Sequence, residues 1–144
     1  MSSALQVLSW VAALGNVILF VSQAPLMLSI VREGTSDKYS WLPSITLLNA
    51  SSFWSGYTVW VLTDPVFWVA NFPGMFFPAV FLLIFATYSS TPLRRAQILG
   101  ATALSLAASW AFSVAVFSLL PRPQATVVSG AVCAASSFLF TRPR

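Results

Sequence analysis

Residues 96–121 read AQILGATALSLAASWAFSVAVFSLLP and contain neither a charged side chain nor an interior proline. An α-helix crosses the hydrocarbon core of a bilayer with about 20 apolar residues, so this stretch predicts one plain transmembrane helix. Four other charge-free stretches accompany it, at residues 1–31, 39–63, 65–93 and 123–141. The first three are long enough to span. The most apolar part of the last, residues 126–140, lies at or below the usual minimum.

The overall composition also indicates a membrane protein. Hydrophobic residues make up 58% and charged residues only 7% of the 144 residues. Soluble domains use about a quarter charged residues, so this chain has too few polar groups to cover a water-exposed surface. A secretory signal begins with basic residues, whereas the first basic residue here, Arg32, follows a segment that is already long enough to span. We therefore predict an all-α, polytopic membrane protein whose first segment is a mature helix.

The charged residues border the apolar stretches and predict an orientation. With five spans and the N-terminus outside, the only basic residue on the outer side is Arg122. The inner side then holds Arg32, Lys38, Arg94, Arg95, Arg142 and Arg144. Cytoplasmic loops are enriched in Lys and Arg, which favours this orientation. With four spans, the bias falls to four inner basic residues against three outer ones.

The inventory of reactive side chains argues against catalysis. The chain has no histidine, three acidic residues and one cysteine, Cys133, which cannot form an internal disulfide. It also lacks a glycine-rich phosphate loop and a buried pair of acids. The net charge of +4 is not arranged as a basic stripe with interleaved aromatic residues. We expect no enzyme, no cofactor, no metal site and no nucleic-acid partner.

Prolines predict where the helices bend. Pro25 lies inside the first apolar segment, where it removes a backbone hydrogen bond and favours a kink. Ser22 and Gln23 beside it are expected to face protein or water, because freed backbone groups in lipid need polar partners. Pro43 suits the first turn of the second helix. The short loop at 32–40 predicts that the first two segments are antiparallel neighbours.

The second and third segments contain more polar and helix-breaking residues than the fourth. The second is polar for a membrane helix, with many serine and threonine residues, which predicts that it packs inside a bundle. The third contains Asn71, Pro73, Gly74 and Pro78 before its apolar run, so its first half is expected to be irregular or bent.

Four amides within the apolar segments are candidates for function: Asn16, Gln23, Asn49 and Asn71. Each can instead form an interhelical hydrogen bond of about 1 kcal/mol, and both interpretations stay open. Trp54 with Asn71 is the more suggestive pair. An indole face stacks on sugar C–H groups, and an amide both donates to and accepts from hydroxyls. Trp10, Trp41 and Trp68 lie near segment ends, where interfacial anchoring suffices, and Trp60 is ambiguous.

The order of these residues resembles the SWEET sugar transporters, whose repeat is a bundle of three helices. The matching elements are Gly15-Asn16, residues 30–36, Pro43, Leu47-Leu48-Asn49, Trp54, Tyr57, the stretch Asn71-Phe72-Pro73-Gly74, and Tyr88. They cover residues 15–88. The sequence departs from the family pattern at Ser22-Gln23-Ala24-Pro25 and at Thr58, where glycine is usual.

This resemblance implies a SWEET-type three-helix repeat at residues 1–90, a linker transmembrane helix at 91–122 and a partial fifth helix with a basic tail at 123–144. It also implies that Asn71 and Trp54 contact a mono- or disaccharide, and that Pro25 and Pro43 act as hinges. In the family the sugar lies between two repeats. One repeat supplies half of that site, so a homo-oligomer, or a hetero-oligomer with full-length relatives, is expected.

The resulting functional hypothesis is facilitative, bidirectional uniport of sugars across a bilayer, with the plasma membrane favoured over endomembranes. The apolar stretches contain no acid, which fits transport that is not driven by protons. Two alternatives stay open. The chain could be a truncated, non-transporting subunit that modulates full-length sugar transporters, or a related proline-glutamine-loop carrier of other solutes.

Overall fold

The computed structural model of the chain describes residues 3–61 and 65–140, without the side chains of residues 3–5, 9, 12 and 136–140. These residues form six α-helices and no strand, which confirms the predicted all-α fold. The helices are α1 (Ser3–Val21), α2 (Ala24–Glu33), α3 (Leu42–Val61), α4 (Pro65–Thr87), α5 (Pro92–Leu119) and α6 (Arg122–Phe140).

Three stretches of the described chain are long and apolar enough to cross a membrane: Gln6–Glu33, Pro65–Thr87 and Pro92–Leu119. The first combines α1 and α2. Helix α3 has 20 residues, enough to span, but its hydroxyl-bearing side chains lower its hydropathy. Several of them are buried, including Ser44, Ser51, Ser52, Ser55 and Thr58. They face neighbouring helices, as predicted for a helix inside a bundle.

The predicted kink near Pro25 is present. Helix α1 ends at Val21 and α2 begins at Ala24, so Ser22 and Gln23 form the break. The Ser22 hydroxyl donates to the Leu19 carbonyl at 2.6 Å, which satisfies one acceptor at the end of α1. Pro25 falls in the first turn of α2, where its missing N–H costs no helical hydrogen bond.

Helix α4 occupies the centre of one side of the bundle, where it packs against both α1 and α3. The first two segments meet at the hydrogen bond between Gln23 and Ser44, as expected of neighbours, but α1 and α3 each pack mainly against α4. A short loop brings helix ends together but does not determine which faces pack. The outer helices complete the bundle, with α5 packing on α3 and α4, and α6 packing on α3 and α5.

Of the two outcomes expected for the first half of α4, irregular or bent, irregularity is not seen. Pro73 and Pro78 both lie inside one continuous α-helix that begins at Pro65. Pro78 is buried and Pro73 is half-buried. Neighbouring helices in lipid can hold a proline-containing helix together by packing around the disrupted turn. Contacts with α1 on one side and α3 on the other provide that support.

The hydrophobic core lies at the end of the bundle that holds Arg32, Lys38, Arg94 and Arg95, which we call the basic end. It joins four helices through Met27, Ile30, Leu48, Phe81, Leu82, Phe85, Ala86 and Ile98. Next to it, the buried Ser36 hydroxyl donates to the Phe85 carbonyl at 2.8 Å, and the Ser36 N–H donates to the Tyr88 carbonyl at 2.9 Å. The loop before α3 is thereby bonded to the end of α4.

Arg94 joins the start of α5 to this same loop. Its guanidinium donates to the carbonyls of Tyr39 at 2.7 Å, Asp37 at 2.8 Å and Ser36 at 3.0 Å. It also forms a 3.1 Å ion pair with the Asp37 carboxylate. Hydrogen bonding from Ser90 lowers the pKa of Asp37 below its usual value, and the charge of Arg94 acts in the same direction. Asp37 therefore remains ionised at neutral pH.

Arg95 acts on the end of α4 instead. Its Nε donates to the Ala86 carbonyl at 3.0 Å, and Nη2 reaches the carbonyls of Thr87 and Ser89 at 3.4 Å each. The last carbonyls of a helix have no partner within it and carry partial negative charge. The Arg95 guanidinium donates hydrogen bonds to these carbonyls, and its positive charge offsets their partial negative charge.

Replacing Arg94 with alanine is expected to destabilise the fold by about 1–3 kcal/mol, because three loop carbonyls and one carboxylate lose a charged donor. Lysine should recover only part of this loss, since it lacks the planar fork. Thermal unfolding in detergent measures both effects. Arg32→Ala is the control, because the Arg32 side chain is exposed and forms no hydrogen bond with the described residues. Equal melting temperatures for the two alanine variants would contradict this role.

Candidate functional site

A cavity of about 460 Å³ lies among α1, α3 and α4. This volume is in the range of small-molecule sites, which are mostly apolar with a few polar groups. None of the described residues that line it carries a charge. The lining consists of Ala13, Asn16, Leu19, Phe20, Leu47, Ala50, Ser51, Trp54, Val66, Phe67, Ala70 and Asn71. The two residues that the sequence predicts to bind sugar, Trp54 and Asn71, thus line the same cavity.

Asn71 is held by two hydrogen bonds from its amide nitrogen. Nδ2 donates to the Phe67 carbonyl, one turn earlier in α4, at 2.8 Å. It also donates to the Thr58 hydroxyl of α3 at 3.3 Å. The amide oxygen accepts no hydrogen bond from any residue that the structure describes. Both protons of the amide are therefore used within the protein.

Trp54 comes from the middle of α3 and is half-buried. Its ring packs edge to face with Tyr57, with the ring centroids 6.0 Å apart and the planes at 83°. This arrangement of two aromatic rings is a favourable one. Trp54 thereby contributes a large apolar surface across the cavity from α1.

Thr58 is the residue that sequence reasoning missed. It is fully buried, and its hydroxyl donates to the Trp54 carbonyl at 2.8 Å while accepting from Asn71. It therefore joins the two predicted binding residues. One feature of the sequence could have identified Thr58: it directly follows Tyr57, at a position where the family pattern has glycine.

Gly74 lies where α4 meets both other walls of the cavity. A Cβ added at this position would collide with the Phe20 ring of α1 and with the Ser51 hydroxyl of α3. Both neighbours are buried and line the cavity. Glycine is required here by close packing, since the backbone itself is ordinary α-helix.

Gln23 and Ser44 form a hydrogen bond between the cavity and the basic end. The Ser44 hydroxyl donates to Gln23 Oε1 at 3.1 Å, and Ser44 is buried. Gln23 follows Phe20 by one turn, and Ser44 precedes Leu47 by one turn, so the bond lies just beyond the lining. The two predicted hinge residues flank it, with Pro25 in the first turn of α2 and Pro43 in the first turn of α3.

The structure separates the remaining predicted polar residues. Asn16 lines the cavity, whereas Asn49 is half-buried outside the lining. Cys133 is buried on α6, away from the cavity. Asp64 and the basic residues of the tail lie outside the described residues. Within residues 3–61 and 65–140, no group of three or more His, Cys, Asp or Glu side chains could hold a metal ion.

The fold and the cavity together define an all-α, polytopic membrane protein with a partly polar cavity inside its helical bundle, and the described lining of this cavity carries no charge. Residues 6–93, more than half of the chain, match the family model described as sugar efflux transporter for intercellular exchange. The chain belongs to this family, which confirms the SWEET resemblance. The family consists of transporters and not of enzymes. No curated protein and no solved structure matches the chain.

Proposed function

We propose that the chain moves neutral mono- or disaccharides across a membrane by uniport and that Trp54 and Asn71 bind the sugar. The observation that carries this proposal is the placement of both residues in one uncharged cavity, in a member of a sugar efflux transporter family. The indole offers an apolar face for sugar C–H groups, and the amide oxygen accepts a hydrogen bond from a hydroxyl. The described lining residues include no titratable side chain, which supports uncoupled transport.

The proposed mechanism is alternating access, in which two repeats rock about a binding site near the bilayer midplane. Residues 1–90 form one repeat, residues 91–122 the linker helix, and residues 123–144 part of a further helix. Pro25 and Pro43 act as hinges. Their positions beside the Gln23–Ser44 bond support this role, because bending at either proline would separate these two side chains.

One repeat provides one wall of such a site, and a second repeat completes it. We propose a homo-oligomer, or a hetero-oligomer with a full-length relative. The cavity supports this view, because its described lining comes from three helices of a single repeat. We propose that the protein lies in the plasma membrane with its N-terminus outside. The orientation is supported by Arg32, Lys38, Arg94 and Arg95, which would then lie in the cytoplasm.

Uptake by vesicles that contain only this chain tests the proposal. We expect saturable uptake of labelled glucose or sucrose that stops at equal concentrations inside and outside and does not depend on a proton gradient. Asn49→Ala is the matched control, because this amide lies outside the cavity lining. Lack of uptake by correctly inserted, oligomeric protein would reject transport by the chain alone.

A non-transporting subunit is the second candidate, and the position of α6 favours it. Helix α6 packs on α3, beside α5, so the chain covers part of α3 with its own helix. A full-length relative could bind the remaining exposed faces. Co-expression should then change the relative's uptake rate while the chain alone remains inactive.

A further inference from the structure

We propose that Thr58 is a positioning residue that fixes the side-chain amide of Asn71, so that the site offers the sugar a hydrogen-bond acceptor and not a donor. This inference rests on the proposed function, because it specifies how the same site recognises its substrate. Thr58 itself does not line the cavity. It acts through Asn71, which does.

The direction of each hydrogen bond follows from the number of protons available. A threonine hydroxyl has one proton, and that of Thr58 is donated to the Trp54 carbonyl at 2.8 Å. Toward Asn71 the same oxygen can then only accept. The Asn71 side chain must therefore turn its NH2 group toward Thr58, 3.3 Å away.

The second amide proton is fixed in the same way. It is donated to the Phe67 carbonyl at 2.8 Å, and a carbonyl has no proton to give. Rotating the Asn71 side-chain amide by about 180° would place its oxygen against the Thr58 hydroxyl oxygen and the Phe67 carbonyl, which can both only accept. Both hydrogen bonds would be lost and two acceptors would face each other, so this rotation is disfavoured.

The consequence for the sugar is a requirement for a donor. With both amide protons used inside the protein, Asn71 presents Oδ1 to the cavity. A sugar hydroxyl at this position must donate its proton. A fluorine atom in its place cannot donate, so a monofluoro sugar should bind as poorly as the corresponding deoxy sugar.

Three variants separate this role from simple packing. Thr58→Val keeps the shape and branching of the side chain but removes the hydroxyl, whereas Thr58→Ser keeps the hydroxyl. Thr102→Val is the matched control, because the buried Thr102 hydroxyl donates only to the Ile98 carbonyl of its own helix, at 2.7 Å. If the loss of any buried threonine hydroxyl were enough to disturb the protein, Thr102→Val would show the same change as Thr58→Val.

Competition by deoxy and monofluoro glucose against labelled glucose measures the selectivity. In Thr58→Val we expect KM to rise roughly three- to tenfold, with a smaller change in maximal rate, because about one hydrogen bond is lost. The preference for the hydroxyl over fluorine should fall by a similar factor, since the freed amide can turn its NH2 group to the sugar. Thr58→Ser and Thr102→Val should match the wild type. If Thr58→Val leaves both quantities unchanged in a transporting protein, the inference is wrong.

A second measurement does not depend on transport. The chain has three asparagines, so a 15N-asparagine NMR spectrum contains three side-chain amides, and Asn71→Gln identifies one of them. Hydrogen exchange of the Asn71 amide should be at least threefold faster in Thr58→Val than in the wild type or Thr58→Ser. Equal exchange in all three would overturn the inference, whether or not the vesicles take up sugar. Failure of uptake with the expected exchange difference would reject only the proposed function.

Discussion

Replacing Asn71 with alanine is expected to abolish sugar transport, with a loss of at least about 100-fold in kcat/KM. The substitution removes the fixed acceptor of the cavity and leaves the Thr58 hydroxyl without its donor. A site built to hydrogen-bond a substrate depends strongly on such a group, because its loss leaves buried polar partners unpaired. Counterflow of labelled glucose in vesicles measures the effect. Wild-type binding by Asn71→Ala would reject the placement of the site.

Two comparisons make this experiment specific. Asn49→Ala removes an amide of the same kind from α3, outside the cavity lining, and should leave transport unchanged. Trp54→Ala should also reduce transport, whereas Trp54→Phe should retain part of it because an aromatic face remains. If all four variants lose transport equally, a general folding defect and not the loss of a binding group is responsible.

Replacing Gly74 with valine is expected to prevent the three walls of the cavity from assembling. The new side chain would overlap the Phe20 ring and the Ser51 hydroxyl, which approach from two different helices. Overpacking in a core usually costs about 1–3 kcal/mol, and here two helices must move at once. We expect Gly74→Val to yield little monodisperse protein in size-exclusion chromatography. Gly74→Ala should lower the melting temperature by several degrees.

Gly100→Ala is the matched control for this prediction. Gly100 lies in helix α5, and a Cβ there would meet no atom within 4 Å. Alanine stabilises a helix relative to glycine by about 0.5–1 kcal/mol, so this variant should be neutral or slightly more stable. A smaller side chain at position 20, as in Phe20→Leu, should partly restore Gly74→Ala. If Gly74→Ala and Gly100→Ala behave alike, close approach does not constrain position 74.

The helices themselves could be predicted from charge and proline positions. The charge-free residues 96–121 correspond to Pro92–Leu119, which begins earlier because Thr91 caps it and Pro92 suits its first turn. The break before Pro25 follows from the missing N–H of proline. The order of packing could not be predicted. It depends on Gly74 allowing α4 to approach Phe20 and Ser51 together, and no pattern within one segment encodes such a contact.

The candidate site was predictable only in part. The chemistry of indole and amide groups, together with the family resemblance, selected Trp54 and Asn71, which line one cavity. The residues that hold this cavity were not predictable from their own segments. Thr58 bonds to a residue 13 positions away and Ser44 to one 21 positions away, and both bonds depend on how the helices pack.

The two arginines at the start of α5 affect how the orientation of this protein can be studied. Orientation is commonly tested by moving positive charges between loops and observing whether the chain inverts. Arg94 and Arg95 together donate to six backbone carbonyls, so replacing them would loosen the loop before α3 and the end of α4 as well as change the charge. An inverted or misfolded product would then have two explanations. Arg32 is exposed and has no hydrogen bond within the described chain, so its replacement changes the charge alone.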